Sequence, residues 1–233
     1  MPAPIPIVLV PGLNCSARLY AEQIPALWRF GPVQVADHTR ADSMDAIAAD
    51  ILAHAPPRLA LAGISMGGYI ALTMLRQAPA RVSRLALLDT SARPETSEQS
   101  QQRKPQIAFA QGGRFDEVPA LQFPVFVHPD RQDDAALRAR VRAMAEETGA
   151  EVFLRQQKAI MTRPDARPLL ASITCPTLVL VGDGDQLTPP LLSQEIAAGI
   201  AGSRLVVVAD CGHLSTMERP DAVNGALAEW MAY

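Results

Sequence analysis

The stretch Leu59-Ala60-Leu61-Ala62-Gly63-Ile64-Ser65-Met66-Gly67-Gly68-Tyr69 decides how the rest of the chain is interpreted. An apolar run typical of a buried strand leads into a Gly-x-Ser-x-Gly turn, and helical spacing follows from about residue 68 to 77. Such a strand–turn–helix elbow holds its serine on a strained backbone, with the hydroxyl above the sheet edge. The helix start behind Ser65 directs N–H groups at any oxyanion formed there. The pattern predicts a nucleophilic serine, and the alternative is a serine that only caps the helix.

Strand-like and helix-like segments alternate on both sides of this elbow. Before it and directly after it, apolar runs at residues 5–10, 32–36 and 82–88 are separated by helical spacing at 18–27 and 43–54. The alternation resumes after residue 168, with strands expected at 177–181 and 204–209 and helices through 200 and over 219–233. Alternation of this kind is typical of the α/β class, with a doubly wound, mostly parallel sheet.

Residues 93–167 have a different character, because strand-like runs almost vanish there. Polar helical segments are expected at 98–111, 133–148 and 151–161. We therefore divide the chain into a core of residues 1–92 and 168–233 and a helical cap insertion of residues 93–167. Five of the six phenylalanines lie in this insertion, and they could form its own small core or line an apolar pocket above Ser65: Phe109, Phe115, Phe123, Phe126 and Phe153.

The composition of the chain limits which binding partners and which cellular compartment we expect. The chain has 233 residues, 48% of them hydrophobic, and a net charge of −3, which gives no general attraction for nucleic acid or anionic membranes. No apolar run is long enough for a membrane span, and no signal peptide is visible. Cys15, Cys175 and Cys211 lack metal-site spacing and favour reduced thiols in the cytoplasm. We expect a small-molecule substrate and neither a metal nor a cofactor; the oligomeric state is left open.

A serine hydroxyl needs a base to take its proton, and the base needs a carboxylate that fixes its tautomer. Among the four histidines, His213 follows the last predicted strand in a Gly-His loop, whereas His38 and His54 precede the elbow. His128, in the insertion, is a candidate for substrate contact. For the acid, Asp185 follows the 177–181 strand and is preferred. Three other acids are weighed against it: Asp89, which ends the strand before the insertion, and Asp183 and Asp210, which could serve as loop caps.

The oxyanion of a tetrahedral intermediate needs two N–H donors. Met66, directly behind the nucleophile, should supply one. The loop after the first strand should supply the other, with Leu13 as first choice and Asn14 as second, and Asn14 is also a candidate for substrate contact. Two further residues are assigned packing roles, namely Tyr69 in the elbow helix and Cys15 beside the loop.

On these residues the chain resembles the α/β-hydrolase fold superfamily over essentially its whole length. The resemblance rests on Gly63-Ile64-Ser65-Met66-Gly67-Gly68, on Cys175-Pro176-Thr177-Leu178-Val179-Leu180-Val181-Gly182-Asp183-Gly184-Asp185, and on Gly212-His213. The order Ser, Asp, His is that of the superfamily. The chain is most similar to small esterase-like serine hydrolases with a helical cap. It departs from many of them in having Pro11-Gly12 where they have His-Gly.

The resemblance implies a serine hydrolase that cleaves a carboxylic ester of a small, partly apolar substrate through an acyl-serine. The same three groups could serve a lactonase, a thioesterase, an aminopeptidase or amidase, or a C–C bond hydrolase. A peptidase would need an acid that holds the substrate ammonium, and Glu146, Glu147 or Glu151 could supply one or simply carry surface charge. A different class of function is a non-catalytic protein that keeps the fold to bind a small ligand.

Overall fold

The structure, a computed structural model, describes residues 4–232. Six strands form one sheet in the order β2-β1-β3-β4-β5-β6, and every neighbouring pair is parallel. The strands are β1 (Ile7–Val10), β2 (Val33–Val35), β3 (Leu59–Ile64), β4 (Val82–Leu88), β5 (Thr177–Gly182) and β6 (Arg204–Val208). The α/β class and the doubly wound parallel sheet predicted from the sequence are thereby confirmed.

Eleven α-helices occur within the described residues. Seven surround the sheet: α1 (Gln23–Leu27), α2 (Met44–His54), α3 (Met66–Gln77), α8 (Arg167–Leu170), α9 (Pro190–Gly199), α10 (Ser215–Glu218) and α11 (Pro220–Ala232). Four lie between β4 and α8: α4 (Ser97–Gln111), α5 (Val118–Phe126), α6 (Ala135–Thr148) and α7 (Ala150–Met161). No helix within residues 4–232 combines the length and apolar character that crossing a membrane requires.

The predicted helices differ from the structure in three places. The helix expected over 18–27 is a short 3-10 helix at Ala17–Tyr20 followed by α1, with a turn at residues 21–22 between them. The final helix expected over 219–233 agrees with α11, which Pro220 opens, but the short α10 before it was not predicted. The sequence also gave no hint of α5, which contains Pro119 and Pro124. Tyr233, expected at the end of the final helix, lies outside the described residues.

Both faces of the sheet are buried, as the continuous apolar runs predict. Alternate residues of β1 point to opposite sides, so that Ile7 and Leu9 join one core cluster and Val8 and Val10 join the other. The first cluster includes Trp230 of α11, and the second includes Ile70 of α3. The sheet is therefore held between two helical layers, and its strand ends are fixed in position.

The sheet order reverses between β1 and β3. The chain leaves β1 towards β2 on one side and returns to β3 on the other, so the loops after β1 and β3 diverge at one edge. Ligand sites of doubly wound sheets form in the crevice at such a point. Ser65 lies in the loop after β3, and Gly12 lies in the loop after β1. The two residues are close together, because a Cβ on Gly12 would lie 3.4 Å from the Cβ of Ser65.

Candidate active site

Three side chains from three separate loops meet at the carboxyl edge of the sheet. The imidazole Nε2 of His213 lies 2.8 Å from the hydroxyl oxygen of Ser65, and its Nδ1 lies 2.8 Å from Oδ2 of Asp185. Ser65 follows β3, Asp185 follows β5, and His213 follows β6. A hydroxyl, an imidazole and a carboxylate in this order can transfer a proton from oxygen to nitrogen while the carboxylate fixes the tautomer.

Burial and neighbouring charges have opposite effects on the pKa values of Asp185 and His213. Burial by itself would raise the pKa of Asp185, but the charge of His213 and hydrogen bonds from His213 and Thr188 hold that pKa below its ordinary value. Burial would lower the pKa of His213, but the charge and hydrogen bond of Asp185, together with the charges of Asp89 and Glu218, raise that pKa above 6.5. The imidazole can therefore hold a proton taken from the serine, with the carboxylate ionised beside it.

Asp89, the competing candidate for the acid, has a different environment. Its carboxylate accepts a 2.9 Å hydrogen bond from the N–H of Gly182 and another from the hydroxyl of Ser215. Burial and the nearby charge of Asp185 raise its pKa well above the ordinary value. Asp89 therefore links the ends of β4 and β5 to α10, and Asp185 is the acid hydrogen-bonded to His213.

The elbow holds Ser65 in an uncommon backbone conformation. Its φ is 55° and its ψ is −120°, a region that residues with a Cβ rarely occupy. The hydroxyl makes no capping hydrogen bond to α3, which argues against the helix-cap interpretation. A Cβ on Gly67 would collide with the carbonyl of Val10, and one on Gly63 with the carbonyl of Gly67. Only glycine allows this approach of strand and helix.

The orientation of the Met66 N–H is set by the peptide bond between Ser65 and Met66. The carbonyl of Ser65, in the same peptide plane, accepts hydrogen bonds from Thr90 Oγ1 at 2.7 Å and from the N–H of Gly68 at 2.9 Å. Because a trans peptide directs its C=O and N–H to opposite sides, these bonds turn the Met66 N–H away from α3. It makes no hydrogen bond to another described residue.

The loop after β1 is organised in the same way. The carbonyl of Gly12 accepts from His38 Nε2 at 2.9 Å, which turns the N–H of Leu13 to the opposite side of the peptide. That N–H has no hydrogen-bond partner within residues 4–232. The N–H of Asn14, by contrast, donates to Gln156 Oε1 at 2.8 Å. Leu13, the first choice from the sequence, is the residue of the two with an available donor.

A cavity of about 560 Å³ opens above Ser65 and His213. Its volume is in the range of small-molecule sites. One part of its wall is apolar and is formed by side chains of the core and of the insertion, namely Leu13, Cys15, Leu19, Ile64, Tyr69, Leu121, Val125, Phe126, Ile160, Leu187 and Leu214. Tyr69 and Cys15, which were assigned packing roles from the sequence, thus also line the cavity. The other part is polar and comes largely from α4 and α5, namely Gln99, Gln102, Arg103, Gln106 and Gln122. The pocket that the sequence analysis considered apolar therefore also has a polar wall.

The substrate contacts expected in the insertion are mostly not at this cavity. Phe126 lines it, with its ring centroid 6.0 Å from that of His213. Phe123 is buried in the main core and does not line the cavity, because it lies on the side of α5 that packs against the core. Phe109, Phe115 and Phe153 form a small separate cluster instead of lining the cavity.

His128 and Asn14 are also corrected as substrate contacts. The ring of His128 packs beside Gly184, and the backbone N–H of His128 donates to Glu218, away from the cavity. Asn14 is buried, with its N–H bonded to Gln156 and its Oδ1 accepting from Thr148. Its backbone N–H and its Oδ1 are therefore already paired, and these bonds hold the loop.

The acids considered for binding a substrate ammonium are surface groups. Glu147 pairs with Arg18 and Glu146 with Arg142, while the side chain of Glu151 is 92% exposed. None of the three lines the cavity above Ser65. They carry surface charge, the second of the two roles considered for them.

Two supporting residues were missed in the sequence. Thr188 donates its hydroxyl to Asp185 Oδ2 at 2.7 Å and its N–H to Oδ1 at 2.9 Å. Glu218 accepts from the N–H groups of Gly212 and His128 at 3.0 and 2.8 Å, joining the His213 loop to the insertion. A threonine three residues after an aspartate is a recognisable turn signal, but nothing in the sequence marks Glu218. Within residues 4–232, no three His, Cys, Asp or Glu side chains lie together to hold a metal ion.

Comparison with known proteins places this geometry in a family. The model of the alpha/beta hydrolase family matches residues 7–226. A curated relative, the putative non-heme bromoperoxidase BpoC of Mycobacterium tuberculosis, is 28% identical over 182 residues, covering 76% of this chain and 69% of the relative.

Two solved structures are similar over almost the whole chain. A thermophilic esterase from Thermogutta terrifontis has a TM-score of 0.88 at 28% identity, with 98% of this chain and 89% of the other covered. The enol-lactonase from Burkholderia xenovorans LB400 has a TM-score of 0.89 at 25% identity, with 98% and 92% covered. The activities of these proteins differ, so the comparisons indicate a family but not a substrate.

Proposed function

Since the chain belongs to the alpha/beta hydrolase family, we propose that it is a serine hydrolase that cleaves a carboxylic ester through an acyl-serine intermediate. Ser65 is the nucleophile, His213 the general base and acid, and Asp185 the group that orients and stabilises the imidazolium. The observation that carries the proposal is the pair of 2.8 Å contacts of His213, to Ser65 on one side and to Asp185 on the other.

The reaction follows from these contacts. His213 Nε2 takes the hydroxyl proton of Ser65 as the oxygen attacks the ester carbonyl, and a tetrahedral oxyanion forms. The imidazolium then gives its proton to the departing alkoxide, which leaves as an alcohol. Water enters, loses a proton to His213 and attacks the acyl-serine, and the serine oxygen regains the proton as the acid is released.

The N–H groups of Met66 and Leu13 are the proposed oxyanion donors. Their availability and the orientation of both peptides support this assignment. Donors already oriented before reaction do not need to reorganise as negative charge develops, and one such donor is worth on the order of 10²–10³ in turnover. The choice of Leu13 over Asn14 rests on the hydrogen bond that Asn14 makes to Gln156.

An ester is the substrate class best supported among the alternatives. The mixed apolar and amide wall suits a small, partly apolar ester, open-chain or cyclic, and the esterase and enol-lactonase are structural relatives. Aminopeptidase activity is less well supported, because no Asp or Glu among the described residues lines the cavity to hold an ammonium. The thioesterase and the C–C hydrolase remain outcomes of a substrate test.

We further propose that residues 93–167 act as a cap over this site. Helices α4 and α5 supply most of the polar wall of the cavity. The carbonyl of Phe126 in α5 also accepts hydrogen bonds from the N–H groups of His213 and Leu214, at 3.0 and 3.1 Å. These contacts support a role of the insertion both in enclosing substrate and in positioning the base.

A cytoplasmic location is proposed from the cysteines. Cys15, Cys175 and Cys211 are all free thiols, which is the usual state in a reducing compartment. Burial raises the pKa of Cys15 to about 12, so this thiol is unreactive. Alkylation of freshly extracted, unfolded protein should modify all three thiols without prior reduction, and fewer would contradict the proposal.

Covalent labelling tests the hydrolase proposal directly. A fluorophosphonate should label the wild-type protein at one serine, and Ser65→Ala should lose both the label and ester hydrolysis, the latter by on the order of 10⁶-fold. Ser172→Ala is the matched control, because Ser172 is an exposed serine outside the cavity, and it should keep both properties. Circular dichroism checks that each variant is folded.

A panel of p-nitrophenyl esters, thioesters, lactones and amino-acid amides then separates the substrate classes. The highest kcat/KM should be for an ester or lactone. Labelling that persists in folded Ser65→Ala would refute the assignment of the nucleophile. Tight ligand binding without turnover of any class would instead support the non-catalytic binding protein.

A further inference from the structure

Arg103 is the only Arg, Lys, Asp or Glu among the described residues that line the cavity above Ser65. It belongs to α4, and its side chain is 22% exposed. The other polar groups from the insertion around it are neutral amides. The fixed charge that a substrate meets on entering is therefore positive.

A buried carboxylate next to Arg103 does not cancel this charge, because it is shared. Glu95, with a side chain 2% exposed, accepts from Arg103 Nε through Oε1 at 2.6 Å and from Arg163 through Oε2. Two guanidinium groups and one carboxylate leave a net charge of +1. Arg163 is 3% exposed, stacks over the ring of Tyr69 and donates to the carbonyls of Arg93 and Ile160.

Arg103 is the member of this cluster that can still bind a ligand. Its Nε is bonded to Glu95 and its Nη1 to Gln157 at 3.0 Å, while Nη2 has no partner within residues 4–232. The amide of Gln122, which is 2% exposed and also lines the cavity, donates through Nε2 to Gln106 Oε1 at 2.9 Å, and its own Oε1 has no partner. Rotation of both amides by 180° reverses this bond and leaves the NH₂ of Gln122 free to donate to a ligand.

A partly buried guanidinium whose charge is only partly compensated favours an anion, and its planar group matches a carboxylate in particular. We propose that the substrate is an ester or lactone that also bears a free carboxylate, and that Arg103, assisted by Gln122, binds this carboxylate. The apolar wall then faces the carbon chain between the carboxylate and the scissile bond. This inference rests on the proposed ester hydrolysis and adds the charge of the substrate.

The test compares two esters that differ only in charge. One is the monoethyl ester of glutaric acid, and the other is the same ester with the distal carboxylate replaced by a carboxamide. A second pair places the group on the alcohol side, in esters of 3-hydroxypropanoate and of 3-hydroxypropanamide. Hydrolysis is followed by titration of the released acid, and the measured quantity is the ratio of kcat/KM for the charged ester to that for the neutral one.

We expect this ratio to be on the order of 10 to 100 in the wild-type protein for at least one pair. In Arg103→Gln the ratio should fall to about 1 or below, through loss of activity on the charged ester alone, and Arg103→Lys should keep part of the preference. Arg142→Gln, which removes an exposed arginine outside the cavity, should leave the ratio unchanged.

A measurement on the wild-type protein covers the case in which Arg103→Gln does not fold. Free glutarate should inhibit hydrolysis of the neutral ester competitively, at a concentration at least about tenfold lower than glutaramide. A wild-type ratio near 1 for both pairs, or an unchanged ratio in folded Arg103→Gln, would overturn the carboxylate site. Turnover of the neutral esters lost in Ser65→Ala would still uphold the ester hydrolase, so the two proposals fail separately.

Discussion

The ring of His213 is buried between a hydroxyl and a carboxylate, and its protonation depends on both burial and charge. Burial favours the neutral imidazole, but the charge and hydrogen bond of Asp185, with the charges of Asp89 and Glu218, together favour the imidazolium more. Thr188 in turn holds both oxygens of Asp185. The consequence is a base that holds its proton to a higher pH than a free histidine does.

This environment predicts the pH dependence of the reaction. Only neutral His213 can accept the proton of Ser65, so kcat/KM should rise with pH through an ionisation whose pKa is above 6.5. Asp185→Asn removes the charge that raises this pKa, so the rise should move to lower pH, with turnover reduced on the order of 10⁴-fold. Initial rates with a neutral ester between pH 5 and 9 measure both effects. A profile that stays in place in the variant would show that Asp185 does not control the ionisation.

At the level of secondary structure, the elbow needs glycine where helix α3 contacts the backbone of the neighbouring strands. A Cβ on Gly67 meets the backbone carbonyl of Val10, which belongs to a buried strand and has no space to move. Not every glycine in a helix of this protein has such a reason to be kept. Gly225 in α11 has no heavy atom within 4 Å of an added Cβ.

The two glycines therefore give a matched pair of alanine variants. Gly67→Ala should destabilise the fold by about 3 kcal/mol or more through overpacking. Gly225→Ala should stabilise it by about 0.5–1 kcal/mol, because alanine is the better helix former. Thermal unfolding measures both changes. Equal shifts in Tm for the two variants would contradict the close approach at the elbow.

Comparison of α5 with the elbow shows what the sequence could reveal. The elbow has a local pattern, so Ser65 could be located, and the order of later strand ends pointed to Asp185 and His213. Helix α5 has Pro119 and Pro124, and its residues are apolar almost all round, so periodicity gave no signal. Its orientation, which buries Phe123 and places Phe126 at the cavity, is decided by tertiary packing. The roles of Gln156 and Glu218 depend on contacts far apart in the sequence and could not be predicted for the same reason.

At the scale of the whole molecule, the insertion and the sheet share one core. Phe123, Leu137 and Met144 of the insertion belong to the same buried cluster as Leu88 of β4 and Trp230 of α11. A segment that buries its apolar side chains against the sheet has little core of its own. We therefore expect residues 93–167 to unfold together with the rest of the chain.

Calorimetry tests this expectation. The wild-type protein should show one unfolding transition, and Phe123→Ala should lower its Tm as a whole, because a loss of about 3–5 kcal/mol corresponds to roughly 6–20 °C at this length. Leu121→Ala is the control on the same helix: Leu121 is 50% exposed, so the change should be small. Two separate transitions, with only one moved by Phe123→Ala, would show that the insertion is an independent folding unit.

The hydrogen bonds to the carbonyl of Phe126 connect the entry of substrate with the position of the catalytic base. It accepts hydrogen bonds from the backbone N–H groups of both His213 and Leu214, so a displacement of the C-terminal end of α5 would break both at once and loosen the loop that carries the imidazole. An opened molecule would then activate its nucleophile less well until the cap had returned. Admission of substrate and readiness for chemistry would alternate, with the peptide oxygen of Phe126 as one of the contacts that couple them.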